Sequence, residues 1–71
     1  MENKKLNRIK VILAEKEKTN KWLAKQIGKD QTTISKWCTN SSQPDLESLM
    51  KIAKLLNVKL GDLVRFEEIE D

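Results

Sequence analysis

The fold of this chain is decided by residues 20–37, which read NKWLAKQIGKDQTTISKW. Ala24 stands where two steeply crossing helices need a small side chain, and Gly28 stands where the chain leaves the first helix in a left-handed conformation. Ile34 and Trp37 are three residues apart, so they bury one face of a second helix. This spacing predicts a helix-turn-helix.

The opposite face of that second helix is polar. It carries four hydrogen-bonding side chains, those of Gln31, Thr32, Ser35 and Lys36. Such side chains are suited to base edges and to phosphates. A protein-binding helix is instead expected to show large apolar anchors at steps of three and four.

The rest of the chain predicts an all-α domain, because no stretch alternates apolar and polar residues as a strand does. Helix one is expected over about residues 6–16. Its apolar residues recur at steps of three and four: Leu6, Ile9, Ile12 and Leu13. Thr19 and Asp30 are positioned to cap helices two and three, since their side-chain oxygens can accept from the free N–H groups of a first turn.

Helix four follows a polar loop at residues 39–43, in which Asn40 can take a left-handed conformation. Pro44 and Asp45 open this helix, and Asn57 is a second residue suited to a left-handed stop. The apolar residues of helix four have the spacing of one buried stripe: Leu46, Leu49, Ile52, Ala53 and Leu56. A short closing helix is expected from Val58, Leu60, Leu63 and Val64. The prediction is therefore five helices.

Composition argues against catalysis. The 71 residues make one small domain without room for an enclosed substrate cavity. There is no histidine, the only cysteine is Cys38, and no glycine-rich phosphate loop exists. We therefore expect no enzyme activity, no cofactor, no metal and no small-molecule ligand. No apolar stretch approaches the length of a membrane span, which predicts a cytoplasmic protein.

Charge is unevenly distributed along the chain. Residues 1–37 hold ten Lys or Arg against four acidic residues, whereas residues 38–71 hold four against seven. An excess of positive charge around the helix-turn-helix suits a polyanion, although lysines that merely solvate helices would give the same count. The acidic residues 67–71 are expected to point away from such a partner.

From about residue 9 to residue 64 the chain resembles the phage repressor and Cro class of helix-turn-helix domains, also called the XRE family. The residues that carry the resemblance are Leu23-Ala24, Ile27-Gly28, Thr33-Ile34-Ser35, Pro44, Leu49, Ile52, Ala53, Leu56, Val58, Leu60 and Leu63. The resemblance implies a compact five-helix, lambda-repressor-like domain. It would be flanked by a flexible N-terminal segment, residues 1–5, and an acidic tail, residues 65–71.

The same resemblance implies a function. Members of the family place helix three in the major groove, often as a dimer on a palindromic operator, and regulate transcription. The expected function is thus sequence-specific binding of double-stranded DNA by a transcriptional regulator, with repression as the favoured sense. Two alternatives stay open. In the first, the chain is an antitoxin or restriction-modification controller that binds its own promoter. In the second, it is a protein-interaction module on the same fold.

Carried over residue by residue, the resemblance places Gln31, Thr32, Ser35 and Lys36 at base edges, with Lys36 reading guanine or meeting a phosphate. It places five residues on the sugar-phosphate backbone: Asn20, Lys29, Thr33, Thr39 and Asn40. Each of the last three has a structural alternative, because Thr33 can support the cap of helix three, and Thr39 and Asn40 can simply end it.

The chain departs from the family at two places. Many members have a buried ion pair between an arginine in helix one and a glutamate late in helix three, where this chain has Leu13 and Cys38. Replacing both partners by apolar groups can be neutral or stabilising. We expect Leu13 and Cys38 to contact each other and Cys38 to be structural. Lys29 replaces the usual apolar residue after the turn glycine, so its amine must point outward.

Three aromatic or apolar residues have no assigned place. Trp22 can pack under helix one, lie beside lysine stems or mark a partner surface. Phe66 and Ile69 can extend toward a homodimer partner beside helices four and five, or Phe66 can fold back onto its own core. Trp37, by contrast, is expected in the core.

Overall fold

A computed structural model of the chain describes residues 5–69. Its elements are four α-helices followed by two short 3₁₀ helices: α1 (Ile9–Glu15), α2 (Asn20–Ile27), α3 (Gln31–Cys38), α4 (Leu46–Leu56), and the 3₁₀ helices Leu60–Leu63 and Phe66–Glu68. The all-α class is confirmed. Residues 1–4 and 70–71 lie outside the described residues, and so does most of the predicted N-terminal segment, residues 1–5.

The prediction of a fifth α-helix is wrong. Residues 60–63 form a single 3₁₀ turn, in which the N–H of Asp62 donates to the carbonyl of Lys59 at 2.9 Å. The Asp62 carboxylate in turn accepts from the Lys59 N–H at 3.1 Å. These reciprocal bonds close a tight turn, while Leu63 at its end is fully buried. A 3₁₀ turn places its fourth residue over its first, so apolar spacing alone did not separate it from an α-helix.

Helix α1 begins at Ile9 and not near residue 6 as predicted. Residues 6–8 pair with residues 63–65: the Arg8 N–H donates to the Leu63 carbonyl, and the Arg65 N–H to the Leu6 carbonyl, both at 2.8 Å. Leu6 therefore lies before the helix. This pairing joins the two ends of the domain.

The predicted helix ends and caps of the central helices are confirmed. Thr19 Oγ1 accepts from the Trp22 N–H at 3.0 Å, and Asp30 Oδ1 accepts from the Thr33 N–H at 2.7 Å. Gly28, Asn40 and Asn57 all have positive φ, at 71°, 62° and 56°. Asparagine tolerates this conformation better than most residues, because its short polar side chain can bond locally.

The core lies where α1, α2, α3 and α4 meet. Its buried apolar members are Ile9, Ile12, Leu13, Leu23, Ala24, Ile34, Trp37, Cys38, Ile52, Ala53, Leu56 and Leu63. Trp37 is in the core, as predicted. Leu46 is not: it is 65% exposed. It is the first residue of α4 and lies about 120° around the helix from Ile52, at the edge of the buried face.

A buried polar network fastens the start of α1 to the turn after α3. The Asn7 side chain donates from Nδ2 to the Trp37 carbonyl at 2.9 Å and to Gln43 Oε1 at 2.7 Å. Asn7 and Asn40 also exchange backbone and side-chain bonds at 2.9 and 3.2 Å. Both asparagines are almost completely buried. Such groups are costly in a protein interior unless they are paired, as they are here.

No helix within residues 5–69 has both the length and the apolar character that crossing a membrane requires.

Candidate nucleic-acid interface

Helices α2 and α3 form a compact pair around a tight turn. The N–H of Lys29 donates back to the Ala24 carbonyl at 3.0 Å, so the chain leaves α2 through the left-handed Gly28. Two residues later, Asp30 caps the start of α3. Because Ile34 and Trp37 are buried, the rotation of α3 about its own axis is fixed.

The opposite face of α3 is presented to solvent. All four predicted base-contact residues lie there and are exposed: Gln31, Thr32, Ser35 and Lys36. None of their side chains forms a hydrogen bond within residues 5–69. We call this set the α3 outer face. It offers an amide, two hydroxyls and an ammonium group, which together can donate to and accept from base edges.

The predicted backbone-contact residues are in different environments. Lys29 and Thr39 are exposed, whereas Thr33 is half-buried against the cap of α3. The Thr39 hydroxyl bonds to the Lys36 carbonyl at 3.2 Å and to Ser41 Oγ at 2.8 Å. It therefore helps to end α3 while remaining at the surface.

Asn20 is half-buried at the start of α2. Its Oδ1 accepts from Cys38 Sγ at 3.3 Å. Since the amide oxygen faces the thiol, the two N–H donors of the same amide remain for another acceptor. A phosphate oxygen is one group that these donors suit.

The structure places Asn40 inside the domain, 6% exposed. Its Oδ1 accepts from the Asn7 N–H and from Gln43 Nε2, and its Nδ2 donates to the Asn7 carbonyl. This burial supports the structural alternative for Asn40 over a side-chain contact with DNA. Sequence reasoning missed the partners Asn7 and Gln43. An asparagine two residues before an apolar helical run is a capping signal, and its Oδ1 indeed accepts from the Ile9 N–H at 3.0 Å.

Comparison with known proteins agrees with this geometry. Residues 8–68 match the model of the Cro/C1-type HTH DNA-binding domain. The chain belongs to this family. It is 37% identical over 54 residues to the HTH-type transcriptional activator BcrR of Enterococcus faecalis, a match that covers 76% of this chain and 26% of BcrR. The chain thus spans about a quarter of the length of this curated relative.

A solved structure is also similar to this Cro/C1-type domain. It is the crystal structure of a protein from Bacteroides fragilis to which a DNA-binding role is ascribed, with a TM-score of 0.83 and 60% sequence identity. The match covers 84% of this chain and 97% of that one. The family and this likeness together establish the helix-turn-helix formed by α2 and α3.

Two departures from the family can be placed in the domain. Leu13 and Cys38 are both buried in the same core, as expected for apolar replacements of an ion pair. Burial raises the pKa of the Cys38 thiol, while the nearby Lys10 lowers it by a smaller amount. A buried thiol with a raised pKa is a poor nucleophile, so the structural role predicted for Cys38 is supported.

Trp22 is half-buried and packs against the core, and Lys18 Nζ lies 4.9 Å from the centroid of its ring. A lysine beside Trp22, one of the three possibilities for this residue, is therefore observed. The ring face and the ammonium group attract each other as a cation–π pair.

The cap of α3 gives a prediction about pH. Hydrogen bonds from the Thr33 side chain and then from its backbone N–H hold the pKa of Asp30 below its ordinary 3.8. A carboxylate with a lowered folded-state pKa stabilises the fold fully above the unfolded pKa, and this contribution is lost as the pH falls through the folded value. We expect Asp30→Ala to lower the unfolding midpoint at pH 7, and the difference from the native chain to shrink below about pH 4.

Urea unfolding followed by tryptophan fluorescence between pH 2.5 and 7 tests this expectation. Glu47→Ala is the control, since Glu47 lies in the first turn of α4 and, among the described residues, pairs with the exposed Lys51. A difference for Asp30→Ala that stays constant down to pH 2.5 contradicts an ionised cap.

Proposed function

We propose that this domain regulates transcription by binding a specific double-stranded DNA operator, with α3 in the major groove. The observation that carries the proposal is the α3 outer face, which is polar, exposed and fixed by the burial of Ile34 and Trp37. In helix-turn-helix proteins the second helix reads base edges in the major groove. Such a regulator acts where DNA is, which supports a cytoplasmic location.

Each member of the outer face has a matching role in this proposal. Gln31 pairs with adenine through its amide, and the methyl group of Thr32 contacts a thymine methyl. Ser35 lies one turn further along, and Lys36 contacts guanine or a phosphate. Asn20, Lys29, Thr33 and Thr39 flank the face and set its register on the sugar-phosphate backbone.

A homodimer on a palindromic operator is part of the proposal. Phe66 is 74% exposed and Ile69 60% exposed, and together with Leu6 and Val64 they line an apolar groove beside the paired chain ends. Phe66 does not fold back onto the core. Burial of these side chains against a second copy would remove apolar surface from water, which favours association. Two copies would then present two α3 helices to two half-sites.

Selection of DNA from a random pool, followed by fluorescence anisotropy across salt concentrations, tests the proposal. Gln31→Ala should weaken binding of the selected site by about 1 to 3 kcal/mol and relax the preference at one base position. The matched control is Gln26→Ala, because Gln26 is exposed on α2 beside Lys51 and Lys54, away from the outer face. Two chains per duplex, counted by light scattering, are expected on a palindrome.

The same experiment has an outcome that would overturn the proposal. A pool with no enriched sequence, bound no more tightly than the roughly 10⁻⁴ to 10⁻⁶ M of non-specific contacts, overturns DNA recognition in favour of a protein-interaction module. Placing the selected site in a reporter promoter then gives the sign of regulation. The similar protein BcrR is described as an activator, so the reporter must be able to show activation as well as repression.

A further inference from the structure

A basic pocket opens between the start of α1 and the end of α3. Its cavity volume is about 340 Å³, and its lining includes four cationic side chains, those of Lys5, Arg8, Lys10 and Arg65. The hydroxyl-bearing Thr39 lies at its edge. No carboxylate of the described residues lines it, although the chain has eleven acidic residues.

The positive charge of the basic pocket is poorly compensated. Neither Lys5 nor Lys10 forms an ion pair within residues 5–69. Within the described residues, the Arg8 guanidinium group donates to a neutral acceptor, the Asp62 backbone carbonyl, at 3.1 Å. Arg65 Nη1 lies 4.0 Å from Glu67 Oε2, the outer limit of an ion pair, at a partly exposed position. Within the described residues, the ion pair given for these cations is thus a weak one.

Arg65 also carries an orphaned donor. Its Nε is buried and has no hydrogen-bond partner among the described residues. A buried charged donor without an acceptor is costly, and native structures rarely keep one. Arg65 lines the basic pocket, so an anion bound there would supply a charge partner for its guanidinium group.

We propose that the basic pocket binds a phosphate group. An arginine fork matches the oxygens of a phosphate, and lysine supplies a compact charge. The C-terminal end of α3 carries a partial negative charge of about half a unit, which four full positive charges outweigh. The phosphate belongs either to the DNA backbone beside α3 or to a free phosphate ester. Only the first of these sources rests on the proposed function.

A titration of the full chain with sodium pyrophosphate tests the pocket without DNA. Backbone amide NMR shifts should saturate and should centre on residues 8–10, 38–40 and 65. Sodium chloride at equal ionic strength should not reproduce them. Lys10→Gln should weaken the apparent Kd about threefold to fivefold, as expected for the loss of one exposed charge pair. Lys10 is exposed, so this change should leave the fold intact.

Lys54→Gln is the matched control, because it removes the same charge from α4 and Lys54 lines a separate groove with Gln26 and Leu55. Arg65→Gln is a second pocket variant, since it removes the orphaned donor but keeps the backbone bond to Leu6. Amide shifts that rise linearly with pyrophosphate concentration at lysines throughout the chain, and by equal amounts in Lys10→Gln and Lys54→Gln, count against a built site.

DNA binding across salt concentrations distinguishes the two phosphate sources. Loss of one phosphate contact reduces the slope of log K against log salt by about 0.9. A reduced slope in Lys10→Gln but not in Lys54→Gln assigns the pocket to the DNA backbone. An unchanged slope with saturable pyrophosphate binding assigns it to a free phosphate ester. If the slope is unchanged and pyrophosphate binding does not saturate, the proposal is overturned. If selection finds no operator, the pyrophosphate titration still decides the pocket separately.

Discussion

Replacement of Asn7 by alanine should lower the free energy of unfolding by about 2 to 4 kcal/mol. The change removes three side-chain hydrogen bonds, those to the Ile9 N–H, the Trp37 carbonyl and Gln43. The first two partners are backbone groups at buried residues, and an unsatisfied buried group costs about 1 to 3 kcal/mol. Urea unfolding followed by tryptophan fluorescence measures the total loss of unfolding free energy.

Gln43→Ala is the control for Asn7, because Gln43 belongs to the same network but is exposed. Its loss should cost less than about 1 kcal/mol, since water can replace it. Asn40→Gly removes the other buried amide while keeping a residue that adopts positive φ. The double variant Asn7→Ala with Asn40→Gly should cost less than the sum of the two single changes, because both side chains bond the same Gln43 amide. An effect of Asn7→Ala within 0.5 kcal/mol of zero contradicts the network's role.

The network also shows why part of this fold could not be predicted from sequence. Asn7 and Asn40 are 33 residues apart, and neither has a local pattern that reveals the other. The prediction for Asn40 was correct in its local part, a left-handed conformation, and incomplete in its non-local part, burial. The start of α1 was misplaced for the same reason, since residues 6–8 pair with residues 63–65 at the other end of the domain.

The helix-turn-helix itself was predictable because its signals are local. Thr19, Gly28 and Asp30 each fix a helix end through their own backbone or side chain, within three residues. The outer face of α3 followed from the buried face, as a helix has only one rotation that buries both Ile34 and Trp37. Which base each side chain reads does not follow in this way, because base preference depends on docking angle and on DNA deformability.

The second large effect is expected at Ile34, the fully buried residue at the centre of α3. Ile34→Ala should cost about 2 to 5 kcal/mol, because it removes buried carbon atoms and leaves a cavity between α3 and its neighbours. A small domain has a total stability of only about 5 kcal/mol or somewhat more, so this variant should keep only a small part of it and unfold at a much lower urea concentration than the native chain. Circular dichroism and urea titration measure the loss.

Ile34→Val is the graded companion, expected to cost about 0.5 to 1.5 kcal/mol and to stay folded. Ser35→Ala is the control on the same helix, and at an exposed position its stability should change by no more than about 0.5 kcal/mol. Ile34→Val and Ser35→Ala should affect DNA recognition differently. Ile34→Val keeps the outer face of α3, so it should weaken binding only as far as it lowers the folded fraction. Ser35→Ala changes the face itself, so it should alter base preference at full stability. A changed base preference in Ile34→Val would mean that the core of α3 also sets its docking angle.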